Sequence, residues 1–159
     1  MTVQQKINEI SIVIPSKDDE ITLTKNIDEL LIFCEKYVLN FEVIIVVNGS
    51  AEKNIRTLED FLSKKNIENF KILNSKIVGK GAAVKMGIKN SNFDHILITD
   101  ADFSVKIDHL INFLDKFFNP LGPFVVGSRK SKGSKVVNTP ITRKVTGFIY
   151  TFLVKTLLK

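Results

Sequence analysis

A chain of 159 residues with 44% hydrophobic and 25% charged side chains suits one folded domain and argues against wholesale disorder. Its single cysteine, Cys34, excludes an intrachain disulfide and a two-cysteine zinc site, and two histidines, His95 and His109, argue against a histidine-rich metal centre. The net charge of +6 is unevenly spread: residues 1–115 hold 14 Lys/Arg and 17 Asp/Glu, whereas residues 116–159 hold nine Lys/Arg and no acid.

Met1 to Glu9 is polar and carries no signal-peptide pattern, so an intracellular (cytoplasmic) chain is expected. Ile10 to Ile14 is a β-rich run closed by Pro15 and predicts a first strand. Leu23, Ile27, Leu30, Leu31, Cys34 and Val38 then recur at helical spacing. Phe41 to Val47 barely alternates, which predicts a strand buried on both faces and ending at the turn Asn48-Gly49. Ile55, Leu58, Phe61 and Leu62 mark a second helix, and Phe70 to Leu73 a short third strand. Lys80 to Lys89 reads as a helix entered through Gly79 and Gly81, and His95 to Thr99 as a fourth strand. Ile107, Leu110, Ile111, Leu114 and Phe117 or Phe118 form another helical stripe. Phe124 to Val126 predicts a fifth strand. The alternation predicts an α/β fold with a mainly parallel sheet covered by helices on both faces. Ligands of such sheets sit at the carboxyl ends of the strands.

Those ends carry the unusual residue groups. Asp100-Ala101-Asp102 places two carboxylates one residue apart, directly after an apolar run. Such a pair suits a hard cation, Mg²⁺ or Mn²⁺, and equally suits the cap of a following helix. Asp18-Asp19-Glu20 fits the acidic first turn of a helix or hydrogen bonds to a nucleoside. Gly79-Lys80-Gly81 fits a backbone approach to phosphate at a helix start, or a turn of small residues for tight packing. No Gly-Lys-Ser/Thr phosphate loop and no Gly-x-Gly-x-x-Gly follows a strand. Gly127-Ser128-Arg129 opens a basic loop reaching Arg143-Lys144, in which arginine forks suit phosphate. The acid-free basic block suggests a polyanionic partner or a solvated face. It lacks the interleaved aromatics of a single-strand binder, so no nucleic acid is expected.

Taken in order, Ile12-Val13-Ile14-Pro15, Glu42 to Val46 with Gly49-Ser50, Gly79 to Val84, Thr99 to Phe103, and Gly127-Ser128-Arg129 followed by Arg143 resemble the family 2 glycosyltransferases. The likeness is strongest to the dolichyl- or polyprenyl-phosphate glycosyltransferases and covers roughly Ile10 to Gly147. It implies a GT-A fold for a single catalytic domain over residues 1–159, with residues 128–159 a basic loop and an apolar C-terminal helix. It implies inverting transfer of a hexose from a nucleotide-sugar donor, UDP-glucose or GDP-mannose, to a polyprenyl or dolichyl phosphate acceptor. Carried over by position, Pro15, Asp19, Asn48, Gly79, Lys80, Gly81, Asp100 and Ala101 bind the nucleotide sugar. Asp100 and Asp102 hold Mg²⁺ or Mn²⁺, and Asp102, Arg129 and Arg143 serve catalysis at the phosphates.

The chain departs from the family pattern at Lys17-Asp18-Asp19, where Tyr-Asn-Glu is usual, and at Val47-Asn48, where Asp-Asp is usual. Family members continue past the equivalent of Lys159, so a truncated or minimal form is expected. A sugar-hydroxyl acceptor, or a nucleotide-sugar binding module without turnover, are the alternative readings.

The chemistry agrees with a phosphate acceptor. A phosphate monoester with a second pKa near ~6 is largely dianionic at neutral pH and needs little general-base help. From Val145 to Leu158 an apolar helical stripe spans about 21 Å, short of the ~30 Å bilayer core, which predicts a helix lying at a membrane surface or docked on protein.

Overall fold

The computed structural model describes residues 6–105, 110, 113, 124–128 and 141–157. The chain divides into two compact units, Met1–Asn119 and Pro120–Lys159.

In the first unit, strand β1 (Ile7–Ser16) leads to helix α1 (Glu20–Tyr37), β2 (Val38–Val47), α2 (Glu52–Lys64), β3 (Phe70–Asn74), α3 (Lys80–Lys89) and β4 (Ile96–Ile98). All pairings are parallel and the sheet order is β3-β2-β1-β4. Ile12 stands between Val43 and Leu97, so β1 and β2 form the sheet centre. Their near-continuous apolar runs follow from burial on both faces. The two-residue period sorts them. Ile12, Ile14, Val43, Ile45 and Val47 join Leu23, Ile27 and Leu30 of α1 and Leu58 and Leu62 of α2. Ile44 and Val46 join Ala83 on the opposite side, where α3 packs.

Both central strands are longer than their apolar runs suggest. Parallel pairing extends β1 from Ile7 through Pro15 and Ser16, because β2 continues alongside as far as Val47. Pro15 lies beyond the last β1–β4 pair, Val13 with Ile98, so its missing N–H leaves no gap in that ladder. Cys34 is buried on α1, and its thiol is pushed up to about 12, chiefly by burial and secondarily by the Glu35 charge. Such a thiol is inert.

The predicted fifth strand does not form: residues 124–128 have no regular secondary structure, with Phe124 86% and Val126 83% exposed. Three apolar residues between a proline and a glycine carry β propensity, but a strand is made by its ladder partner. The helical stripe after Val105 falls mostly outside the described residues. Leu110 is buried in the core and Phe113 packs against it.

The second unit contains α4 (Ile141–Leu157), which begins directly after Pro140. Its 17 residues span about 25 Å. Among the described residues no helix is long and apolar enough to cross a membrane.

Candidate functional site

At the carboxyl ends of β1, β2 and β4 the first unit opens a cleft of about 440 Å³. Pro15, Ser16, Lys17 and Asp19 come from the end of β1, and Asn48 from the end of β2. Val78, Gly79, Lys80 and Ala83 come from the entry to α3, and Asp100, Ala101 and Asp102 follow β4. The cleft thus gathers eight residues singled out in the sequence: Pro15, Asp19, Asn48, Gly79, Lys80, Asp100, Ala101 and Asp102. Gly81 stands apart, exposed on α3 and outside the cleft lining, with open space where a Cβ would lie. Arg129 lies outside the described residues. Arg143 falls within α4, its side chain outside them.

The acidic triplet after β1 divides three ways. Asp18, with φ +60°, turns its carboxylate to the start of α2, where it accepts from the Ala51 N–H (3.3 Å) and Asn54 Nδ2 (3.4 Å). Glu20 is fully buried at the start of α1. Its Oε1 accepts from the hydroxyls of Ser16 (3.0 Å) and Ser50 (2.6 Å), tying the ends of β1 and β2 together. Its Oε2 is buried without a hydrogen-bond partner among the described residues. Asp19 alone of the three lines the cleft.

Asn48 is 4% exposed, and its carboxamide is engaged on both sides. Its Nδ2 donates to the Ile77 carbonyl (2.5 Å), and its Oδ1 accepts from the Gly79 N–H (2.6 Å). Gly79 has φ +129°, a backbone state that side chains rarely permit.

After β4 the burial pattern alternates. Ala101 and Phe103 are buried, while Asp100 and Asp102 are exposed, so both carboxylates face the cleft. Lys80 Nζ pairs with Asp100 Oδ1 at 2.5 Å. Asp102 accepts from the Ser104 N–H (2.9 Å) and hydroxyl (2.6 Å). The Ser104 hydroxyl is the main cause holding the Asp102 carboxyl below its ordinary range; burial opposes it, and Lys80 assists. Asp19 moves the other way. Burial raises it first, then the charges of Asp102, Glu20, Asp18 and Asp100.

Carboxylates that raise one another's proton affinity are partly neutralised by a cation. Among the described residues no group of three or more His, Cys, Asp or Glu side chains is arranged as a metal cage. Asp100 and Asp102 offer two hard oxygen ligands at the cleft, the donor type that Mg²⁺ takes together with ligand phosphates. Lys80 already brings positive charge to Asp100.

The sign of the Asp19 shift makes a stability prediction. A carboxyl whose folded pKa is raised is penalised when ionised, above that pKa, and unpenalised below its ordinary 3.8. Asp19→Asn is therefore expected to raise Tm at neutral pH without added metal. Because Asp19 is exposed, the gain should be no more than about 1–2 °C. Calorimetry should show the gain shrinking towards about pH 4. An equal gain at both pH values would rule out the charge as its cause.

Ser16 and Val78 also line the cleft without having been named as site residues from the sequence, and Lys17 and Ala83 line it from within segments that the sequence had marked. Ser104 had a local signal, an Asp-x-Ser spacing that permits a side-chain turn. The Glu20–Ser50 bond had none, since it joins residues 30 apart.

The family model described as "Glycosyl transferase family 2" matches residues 11–158. Over 122 residues the chain is 31% identical to the dolichyl-phosphate beta-glucosyltransferase of Homo sapiens, covering 73% of this chain and 37% of that protein. Over 159 residues it is 25% identical to the undecaprenyl-phosphate 4-deoxy-4-formamido-L-arabinose transferase of Proteus mirabilis, covering 92% and 47%. The chain thus spans less than half the length of these curated relatives. Among solved structures, S. aureus TarS 1-349 aligns with a TM-score of 0.54 at 18% identity, over 78% of this chain and 40% of that one. The mannosyltransferase PcManGT from Pyrobaculum calidifontis, solved with GDP-Man and Mn²⁺, aligns with a TM-score of 0.50 at 15% identity, over 58% and 27%. At these identities the likeness is one of fold, the GT-A arrangement of a parallel sheet flanked by helices.

Proposed function

The chain belongs to glycosyl transferase family 2, and from that premise we propose that it forms the donor-binding part of an inverting hexosyltransferase. Its donor is a nucleotide sugar, UDP-glucose or GDP-mannose, and its acceptor a polyprenyl or dolichyl phosphate. The observation that carries this reading is the cleft at the sheet's carboxyl edge, where Asp19, Asp100, Asp102, Lys80 and the Gly79 backbone meet. The names of the relatives supply the acceptor class.

In this reading Pro15, Asp19 and the neighbouring Ser16 and Lys17 receive the nucleoside. The diphosphate lies beside Lys80 and Gly79. Mg²⁺ or Mn²⁺, held by Asp100 and Asp102, would supply positive charge for the departing nucleoside diphosphate. An acceptor phosphate oxygen attacks the anomeric carbon as the bond to the diphosphate breaks, and the electron pair leaves with the nucleotide. The phosphate dianion needs no proton removed, so the side chains position and neutralise. Arg129 and Arg143 are the cations proposed for donor and acceptor phosphates. The reading includes peripheral action at a membrane surface, from the cytoplasmic side, because the acceptor's tail stays in the bilayer.

The test is a thermal-shift panel of UDP, GDP, UDP-glucose and GDP-mannose, with and without Mn²⁺, followed by transfer of labelled sugar to dolichyl phosphate. A ligand at ~100 times its Kd stabilises the folded state by about 2.7 kcal/mol. A Tm rise that requires Mn²⁺ is expected for one base. No rise with any of the four would overturn the proposal.

A further inference from the structure

Asn48 lines the cleft just past the end of β2, where a free carboxamide could hydrogen-bond a bound nucleotide. In this chain it is not free. Each end of the Asn48 carboxamide bonds to the backbone of the segment entering α3, the Nδ2 to the Ile77 carbonyl and the Oδ1 to the Gly79 N–H, and at 4% exposure its second N–H and second lone pair have little access to a ligand. The main chain of Asn48 is fixed as well, since its N–H donates to the Ser16 carbonyl at 2.9 Å. The same Ile77 carbonyl also accepts from the Ser75 hydroxyl at 2.9 Å, and the Ser75 N–H donates to the Val47 carbonyl at 2.8 Å. The segment is therefore pinned to the end of β2 from two sides.

An ionised aspartate could accept from Gly79 but has no donor for Ile77, and it would set a carboxylate against that carbonyl. Asparagine is the side chain of this size that satisfies both. What the clamp holds is the start of α3. Gly79 keeps its positive φ there, and Lys80, the next residue, reaches Asp100.

We propose that Asn48 is a positioning residue, which fastens the Ile77–Gly79 segment to β2 and so places Gly79 and Lys80 in the cleft, and that choice of nucleobase does not pass through its side chain. The second half rests on the nucleotide-sugar reading of the cleft; the first half does not.

The experiment compares the intact chain with Asn48→Ala and Asn48→Asp. Amide hydrogen exchange is followed at Gly79, and the affinities of UDP and GDP with Mn²⁺ are measured by calorimetry at a temperature where each variant is folded. Asn48→Ala is expected to speed Gly79 exchange well beyond that of amides in β1 and β2. It should also weaken both nucleotides by the same factor, about tenfold. Asn48→Asp keeps the acceptor and the volume, so it should retain more Gly79 protection while weakening both nucleotides together; it stands in if the alanine variant does not fold. A change in the ratio of UDP to GDP affinity would overturn the proposal, since Asn48 would then read the base. Unchanged affinities with lost protection would also overturn it, leaving a merely structural bond. If the parent chain binds neither nucleotide, the proposed function fails, and the clamp stands or falls on the Gly79 exchange alone.

Discussion

Asp102→Asn is expected to cost transfer activity about 10²–10³-fold while leaving the fold intact. The side chain is exposed in the cleft and holds no part of the apolar core, so its replacement removes charge and spares packing. One of its two hydrogen bonds from Ser104 would persist, because the amide oxygen still accepts while the amide nitrogen cannot. The Asp102 carboxyl is held below its ordinary 3.8, so its charge favours the folded state above that pH, and the benefit is lost as pH falls through the folded value. The variant should therefore be slightly less stable than the parent at neutral pH and equal to it in strong acid. Mn²⁺-dependent nucleotide binding should vanish in calorimetry. Retained Mn²⁺ dependence, with normal turnover, would remove Asp102 from the proposed metal site. Asp100→Asn is expected to fail as well, and it also releases Lys80 from its ion pair.

Gly87→Val should be the most damaging single change to stability among those with no direct role in the cleft, at about 3 kcal/mol or more. A Cβ built on Gly87 would lie 2.3 Å from Val13 Cγ1 and 3.3 Å from Val13 Cβ. Val13 cannot yield easily. It is fully buried, paired with Ile44 on one side and Ile98 on the other, and β-branched. Even Gly87→Ala, which gains about 1 kcal/mol of helix propensity, meets an overpacking cost of about 1–3 kcal/mol. Its net effect should be a loss. The cause is testable by a double-mutant cycle in urea: with Val13→Ala the methyl has room, so the two losses should fall short of additivity by about 1 kcal/mol or more. Additive losses would mean that the contact between α3 and β1 is not the source. Because α3 carries Lys80 at its first turn, Gly87→Ala should also lower nucleotide affinity in the folded fraction.

Local pattern by itself determines most of the element order. The alternating or continuous apolar runs of β1 and β2 and the 3.6-residue spacing of Leu23, Ile27 and Leu30 are imposed by which faces must be buried, and that requirement is written into neighbouring residues. The carboxylate pair is legible for the same reason, since Asp100 and Asp102 are two residues apart and a two-residue period puts them on one side. The ends of the strands are where sequence reading reaches furthest into function, because a parallel sheet must collect its loops at one edge. Tertiary structure alone decides how the adjacent acids share their work: Asp18 goes to α2, Glu20 to Ser16 at the end of β1 and Ser50 in the loop after β2, and Asp19 to the cleft. It alone decides that Asn48 is spent on Ile77 and Gly79, 29 and 31 residues away. It also decides that Gly81 misses the cleft while Gly79 lines it, and that Phe124 to Val126 takes no strand. The bonds of Asp18 to Ala51 and Asn54, of Glu20 to Ser50 and of Asn48 to Ile77 and Gly79 join residues 29 to 36 apart, and a hydrogen bond formed across such a separation leaves no periodic trace in the residues beside it.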